Sequence, residues 1–454
     1  MSEYKGFNRL LFDRLIDWKS SPYRKPLILR GARQVGKTTL VNQFAEVYTH
    51  KIFLNLELKS DREIFETSDE VEKIVEILLI RSEIPSGQLD QVLLFIDEIQ
   101  ESPNAIALLR YFYEKIPQLH VIAAGSLLEQ AIKKVKSFPV GRVEYLYLFP
   151  LNFEEFLSAL GKTELLKVFN QVPVNEIAHN LLLDAFNLYA IIGGMPEVVQ
   201  RYIDTNSISS LSPVYSQIWQ TYREDVEKYS SNQTEANIIR YIMEVAHLYL
   251  DQRVKFERFG NSNYKSREVG EAFRKLDQAR IIQLIYPSTV VEAPIQMDVK
   301  KSPRIQFLDT GIINNELKIQ GDLLALKDLS NEYKGALIPH LLTQEIISLN
   351  QTGYHKPNFW VREKTQASSE VDLIIQYKQL VIPIEIKSGK SGKLKSLHQF
   401  IEQSNHTYAV RIYGGKFLIE EQKTQSGKPF KLMNLPYYLG TKIHFYVDYF
   451  LSNY

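Results

Sequence analysis

Four short apolar runs, Pro26 to Leu29, Ile52 to Leu56, Val92 to Ile96 and Val121 to Ala124, punctuate the first third of the chain, with helix-length segments between them. Strands without polar alternation are buried on both faces, and strands alternating with helices predict a parallel sheet covered on both sides. From Thr163 to Tyr229 the period changes: Leu181, Leu182, Ala185, Phe186, Tyr189 and Ala190 recur at three and four spacing, which predicts a helical lid. Between Ala236 and Asp309 three helical stretches, the last at Arg267 to Gln278, precede strand-like Ile281 to Tyr286, a turn and Arg304 to Leu308. Helices followed by a hairpin predict a small winged-helix-like module. From Tyr333 the pattern gives a helix (Ile338 to Leu349), strands at Phe359 to Arg362, Glu370 to Gln376 and Val381 to Lys387, and a helix from Leu394, which is a second α/β domain. No internal repeat interrupts this order.

A chain of 454 residues exceeds one compact core and predicts two to four domains. With 44% hydrophobic and 24% charged residues the composition is that of globular proteins, and no run of about eighteen apolar residues is available to span a bilayer. Met1 to Asn8 is polar and lacks the apolar core of an export signal, so a cytoplasmic protein with no membrane partner is expected. The absence of cysteine excludes disulfides, thiolate zinc sites and cysteine nucleophiles. Lys and Arg total 54 against 53 Asp and Glu, which gives no support for a dedicated nucleic-acid coat. A local basic face remains open at Lys387, Lys390, Lys393 and Lys395, which is otherwise a solvated surface.

Chemistry enters at Gly31, Ala32, Arg33, Gln34, Val35, Gly36, Lys37, Thr38 and Thr39, which fit GxxxxGK[ST] between the apolar Leu27 to Leu29 and the helical Leu40 to Tyr48. Glycines let backbone N–H groups curl around phosphate oxygens, the helix start adds positive potential, and a lysine reaches the outer phosphates. Thr38 offers a hydroxyl to Mg2+. A P-loop also needs an acidic partner on a neighbouring strand, and Val92 to Ile96 ends in Asp97 and Glu98. Asp97 is the expected metal-side carboxylate and Glu98 the group that polarises the attacking water.

These residues, together with Ile99 and Gln100, Ala124 to Ser126 and Pro150 to Phe156, resemble the predicted bacterial and archaeal AAA-type ATPases, in which the ATPase is followed by a carboxy-terminal domain of unknown function. The resemblance covers almost the entire chain. It implies ATP and Mg2+ as ligands, Ser126 as a sensor near the γ-phosphate, and Arg142 as an arginine finger in cis or in trans, or else an ordinary surface ion pair. It also implies a structural or hinge turn at Gly193, Gly194, Met195 and Pro196. Tyr222 to Asp225 and Phe307 to Gly311 match recurrent family segments to which no chemistry attaches.

The final domain carries Glu345 on its helix, Glu370 and Asp372 on one strand, and Glu385 and Lys387 on the next. Acid, acid and lysine on adjacent strands resemble the PD-(D/E)xK nuclease core, in which Asp372 and Glu385 would hold Mg2+, Glu345 would add a carboxylate and Lys387 would orient water. Glu385 and Lys387 project from one strand face, as a shared site requires. The bland alternative is an exposed ion pair. Pro339 stands where relatives carry a glutamate, which weakens the acidic cluster more than the fold.

The expected architecture is therefore α/β: an AAA-type P-loop NTPase core with a parallel sheet (1–160), a helical lid (161–232), a winged-helix-like module (233–310) and a restriction-endonuclease-like domain (311–454). The last helix of the module, with Arg267, Arg274 and Lys275, either binds DNA or serves as a protein-interaction spacer. ATP hydrolysis would control the tail. The alternative is a nucleotide-dependent scaffold that engages protein partners and cuts nothing; oligomerisation is compatible with both. A signalling ATPase with sensor repeats lacks the repeats.

Overall fold

The computed structural model describes residues 6–454 apart from 69, 127, 129–130, 132–134, 136–139, 227–229, 322–334, 354, 365–366 and 388–393. Lys390 and Lys393 of the basic stretch lie outside the described residues. Among the described residues no single helix is long and apolar enough to cross a membrane. The chain divides into two compact units, 1–149 with 350–354, and 150–349 with 355–454.

In the first unit, strands β1 (Leu27–Arg30), β2 (His50–Asn55), β3 (Val92–Asp97), β4 (His120–Gly125) and β5 (Glu144–Tyr147) form one sheet in the order β2-β3-β4-β1-β5. Every pairing is parallel. The apolar runs explain the three central strands, because β1, β3 and β4 are buried along almost their whole length. Helices α1 (Leu11–Ser20), α2 (Lys37–Ala45), α3 (Val71–Arg81) and α4 (Pro103–Lys115) supply the covering layers. Helix α3 turns Val71, Ile74, Val75, Leu78 and Leu79 inward at helical spacing. Helix α4 begins at Ser102, whose side chain accepts from the Ala105 N–H, with Pro103 in the first turn.

The second unit opens with a helical layer that includes α5 (Phe153–Ala159), α6 (Thr163–Phe169), α7 (His179–Ile192), α8 (Pro196–Thr205) and α9 (Ser212–Glu224). Asn152 starts α5 through a reciprocal cap with Glu155. Next come α10 (Gln233–Val245) and α11 (Ser266–Gln278), then β6 (Ile282–Ile285) paired antiparallel with β8 (Arg304–Phe307). The middle helical stretch expected between them is reduced to short 3-10 turns at Ala246–Tyr249 and Phe259–Asn261. The connection from β6 to β8 carries β7 (Pro287–Ser288), which joins the sheet of the final domain by pairing with β9 (Asn358–Lys364). The hairpin is thus tied into the following domain.

That sheet has seven strands, ordered β13-β14-β12-β11-β10-β9-β7. After α12 (Thr310–Glu316) and α13 (Leu337–Ser348), strands β9, β10 (Ala367–Tyr377) and β11 (Leu380–Lys387) run as an antiparallel meander. Helix α14 (Lys395–Gln403) then crosses to β12 (Tyr408–Tyr413), parallel to β11. Strands β13 (Leu418–Lys423) and β14 (Pro429–Pro436) extend the sheet, and α15 (Ile443–Asn453) closes the chain.

Residues 150–160, the lid, the hairpin and the tail fall in one unit, because buried polar bonds join them: Leu151 N–H donates to Gly194 O at 2.7 Å, Gly194 N–H to Asp309 at 2.6 Å, and Phe153 N–H to Glu345 at 3.1 Å. Buried backbone donors need partners, and these loops find theirs in each other.

Candidate functional site

The carboxyl ends of β1, β3 and β4 bring together three sequence segments. Gly31 follows β1, Asp97 ends β3, and Ser126 follows β4, which lies between the other two. Gly31 has no room for a side chain, since an added Cβ would stand 2.4 Å from Leu148 O. Gln34 (φ 63°) and Gly36 (φ 94°) take left-handed backbone around buried Val35. Alternating conformations of this kind turn successive N–H groups to one side as an anion-binding nest, at the start of α2. Ala32 and Lys37 are buried, Arg33 pairs with Glu57 at 3.8 Å, and Thr38 and Thr39 lie in the first turn of α2.

Lys37 Nζ donates to Gly31 O at 3.0 Å and Ala32 O at 2.8 Å. The Thr38 hydroxyl donates to Asp97 at 2.7 Å across 59 positions of sequence. Burial raises the Asp97 carboxyl above its ordinary range, against the opposing Thr38 hydrogen bond. Glu98 sits in left-handed backbone at φ 51°, a costly conformation for a side chain of this size, and Gln100 donates to its carboxylate. The Ser126 hydroxyl is buried with no partner. A phosphate chain and a divalent cation fit these groups: a nest of N–H donors, a lysine on exchangeable carbonyls, a hydroxyl beside a carboxylate, and an unsatisfied hydroxyl.

Arg142 stands elsewhere. It precedes Glu144, which aligns with Leu27, whereas the loop follows Arg30, which aligns with Tyr147. Arg142 therefore lies at the amino edge of the sheet, opposite its own phosphate loop, and pairs with Glu114 at 2.9 Å. One contributor was missed in the sequence. Buried Arg9 donates to Val35 O at 2.9 Å and Phe149 O at 2.6 Å, pinning the loop from below. No spacing signals an arginine 22 residues ahead of the motif, before an ordinary helix.

In the second unit, Asp372 on β10 and Glu385 on β11 lie one step beyond the Leu373 and Ile384 pair. Asp372 accepts from Ile386 N–H at 2.8 Å, and Lys387 pairs with Glu385 at 2.6 Å. Burial, then the Asp372 charge, pushes Glu385 up to about 8, while Glu385 holds the Lys387 ammonium above its ordinary range against desolvation.

Glu345 does not join them. It is 1% exposed, accepting from Tyr189 OH at 2.6 Å and Phe153 N–H. The reason is helical phase: His340 and Thr343 of α13 line the cavity that Asp372 also lines, and Glu345, two residues on, is turned about 200° away. No described group of three or more acidic or histidine residues has the arrangement of a metal centre. A cation is already present, because Arg304 pairs with Asp251 at 3.0 Å, with Glu370, and with Asp372 at 3.6 Å. On α11, Arg267 is paired with Glu271 at 3.0 Å and Lys275 with Glu235 at 2.5 Å.

Comparison with known proteins agrees with the first unit's geometry. Residues 23–157 match the family model of an AAA domain, while 183–323 and 334–438 match two domains of unknown function, DUF8612 and DUF4143. The uncharacterized protein MJ1544 of Methanocaldococcus jannaschii is 27% identical over 237 residues, 51% of this chain and 49% of that protein. The chain thus matches about half the length of that relative. Distant structural likenesses include the Walker-type ATPase PABY2304 of Pyrococcus abyssi (TM-score 0.44, 16% identity, 68% of this chain and 96% of that one). Others are the Aeropyrum pernix ORC1 protein in complex with DNA (0.31, 16%, 72% and 96%) and AMPPCP-bound DnaA from Aquifex aeolicus (0.28, 14%, 60% and 88%). The family match and the sheet order together identify residues 23–157 as an AAA-type P-loop domain.

Proposed function

We propose that this protein binds and hydrolyses ATP at the loop of Gly31 to Thr39 and uses its nucleotide state to control a nuclease-like tail. The observation that carries the reading is the Thr38 hydrogen bond to Asp97 at 2.7 Å, which joins the phosphate loop to the acidic strand end. The loop N–H groups cradle the phosphates, and Lys37 exchanges its bonds to Gly31 O and Ala32 O for phosphate oxygens. Thr38 and Asp97 would hold Mg2+, which would supply neutralisation of the phosphate charge. Glu98, restrained by Gln100, orients a water whose oxygen attacks the γ-phosphorus. The bond to the β,γ-bridging oxygen breaks, and the water's proton passes to Glu98. Ser126 spends its unpartnered hydroxyl on the γ-phosphate. Arg142, at the far edge of its own sheet, serves a neighbouring copy if it serves any.

The order helix, three antiparallel strands, helix, parallel strand supports a nuclease-like fold for the tail, with Asp372, Glu385 and Lys387 on its adjacent strands. A second reading, a switch acting on protein partners with a tail that does not cut, is favoured by the absence of Glu345 from that cluster and by the pairing of Arg304 inside it. One experiment separates them: phosphate release by wild type, Lys37→Ala and Glu98→Gln, with and without duplex or single-stranded DNA, while the DNA is followed on a gel with Mg2+ or Mn2+. Turnover that survives both substitutions sinks the ATPase reading. DNA scission lost in Asp372→Ala supports a cutting tail, and intact DNA throughout supports the protein switch.

A further inference from the structure

Glu98 follows β3 and opens a short 3-10 turn, Ile99–Glu101, in which Ile99 is buried. That turn lies against the carboxyl end of β4: Gln100 donates through Nε2 to the Glu98 carboxylate, while the other atom of its amide, Oε1, rests on Gly125. A Cβ at Gly125 would stand 2.4 Å from that oxygen. Gly125 is otherwise an ordinary strand residue, in register with Arg30 and without left-handed backbone, so the strand tolerates a side chain there and the Gln100 amide is what excludes it. The next residue is Ser126. Its hydroxyl and Gln100 Oε1 are both buried with no partner among the described residues. A buried amide oxygen without a donor forgoes about 1–3 kcal/mol, so this end of the amide is located by contact with Gly125 and not by a hydrogen bond that would resist its movement.

We propose that Gln100 is a positioning residue that ties Glu98 to the Gly125–Ser126 end of β4, so that engagement of Ser126 by a γ-phosphate sets the pose of the Glu98 carboxylate. The inference rests on the reading of Glu98 and Ser126 as ATPase groups and adds how the two communicate. Because the Ser126 hydroxyl is buried, reaching a phosphate oxygen requires the end of β4 to give, and Gly125 moves with it. Gln100 Oε1 rests on Gly125 and therefore follows. The carboxamide is planar and rigid, so Nε2 moves with Oε1 and draws the Glu98 carboxylate along. ADP, which lacks the third phosphate, leaves Ser126 and hence Glu98 where they stand. The device orients water only when there is a phosphorus for it to attack.

The test uses the full chain with isotope-labelled glutamine, and its probe is the side-chain amide resonance that disappears in Gln100→Met. That resonance should shift when a non-hydrolysable ATP analogue is added, stay in place with ADP, and lose the difference in Ser126→Ala. Phosphate release is measured in parallel. Gly125→Ala displaces the amide without deleting it, and it and Gln100→Met should each lower kcat by about tenfold while KM and ADP affinity change less than about twofold. The two losses should not multiply in the double variant, since both break one link. Thermal melts check that each variant is folded; should Gln100→Met fail to fold, Gln100→Asn, whose amide is one methylene too short to span from Gly125 to Glu98, takes its place. The proposal is overturned if the resonance answers ADP as it answers the analogue, answers neither, or keeps its difference in Ser126→Ala. It is equally overturned if either substitution spares kcat or if the two losses multiply. The resonance needs only nucleotide binding, so a wild type that shows the shift without Lys37-dependent phosphate release sinks the hydrolysis reading and leaves the link between Ser126 and Gln100 standing.

Discussion

Glu345 is buried against the Phe153 N–H and the Tyr189 hydroxyl, with the like charges of Glu155 and Glu154 also acting on it, and Lys442 paired to Glu154 at 2.7 Å. Burial raises its carboxyl from the ordinary 4.5 to about 8, outweighing the two hydrogen bonds that favour the carboxylate. The sign follows from proton linkage: between these values the folded chain holds a proton that the unfolded chain has released, so the contribution is complete below 4.5 and is lost as pH rises through 8. At about 1.4 kcal/mol per tenfold change in protonation, the interval is worth on the order of 5 kcal/mol. Glu345→Gln keeps an oxygen for Phe153 N–H and Tyr189 OH but has nothing to titrate. Its stability relative to wild type should therefore improve by several kcal/mol from pH 4.5 to pH 8. Asp309 at about 6 and Asp251 at about 7 are also raised by burial, but both proteins share them and their effects cancel in the difference. Urea unfolding followed by tryptophan fluorescence suits the assay, since Trp219 and Trp360 both lie in the second unit. A stability difference that stays constant across that range would refute the buried-acid argument.

Three other substitutions probe the two units. Gly194→Ala places a Cβ 2.0 Å from Leu151 O, a backbone atom, so a loss of about 3 kcal/mol or more is expected in chemical denaturation. Ser126→Ala removes a buried, unpartnered hydroxyl; the nucleotide-free protein should melt at or slightly above wild type, while phosphate release falls by about tenfold or more. Arg9→Met deletes hydrogen bonds to Val35 O and Phe149 O, costs about 3 kcal/mol in thermal or urea unfolding, and weakens binding of a fluorescent nucleotide.

The phosphate loop and its acidic partner were legible because each is contiguous and each ends an apolar run, so local pattern and chemistry coincide. Strands β1, β3 and β4 were legible for the same reason, being buried on both faces. Strand β5 was not: only four residues long at the sheet edge, with Glu144 exposed and Tyr145 half-buried, it offers no continuous apolar run. In the tail, helix α13 and strands β9 to β11 lie close to their expected positions, yet the acidic residues read from them are not all brought together. Placing Glu345 with Asp372 and Glu385 treated an acid on the right helix as if it were on the right face. Its partners, Phe153 and Tyr189, are 192 and 156 positions away, and no local rule reaches that far. Arg304 was equally hidden, since a lone arginine opening a short strand carries no signal until its three carboxylates are in place.

Three segments singled out in the sequence without chemistry, Pro150 to Phe156, Gly193 to Pro196 and Phe307 to Gly311, turn out to satisfy one another. Gly193 leaves no space for a side chain against Asp309, whose carboxylate takes the Gly194 N–H, while Gly194 O takes the Leu151 N–H. Gly311 closes against Ile192 O, and Tyr189 donates to Leu151 O and to Glu345. Irregular backbone buried this deeply survives only where every N–H and C=O has a designated partner and no Cβ intrudes. Glycines at the points of closest approach and a carboxylate at the hub are what that requirement selects. The same requirement explains why Asp309 and Glu345 stay buried despite carboxyls raised by desolvation: each is paid for by backbone donors that would otherwise be stranded. A motif built of glycine, aspartate and aromatic residues can therefore mark the place where loops must cross in the dark interior, and here it does.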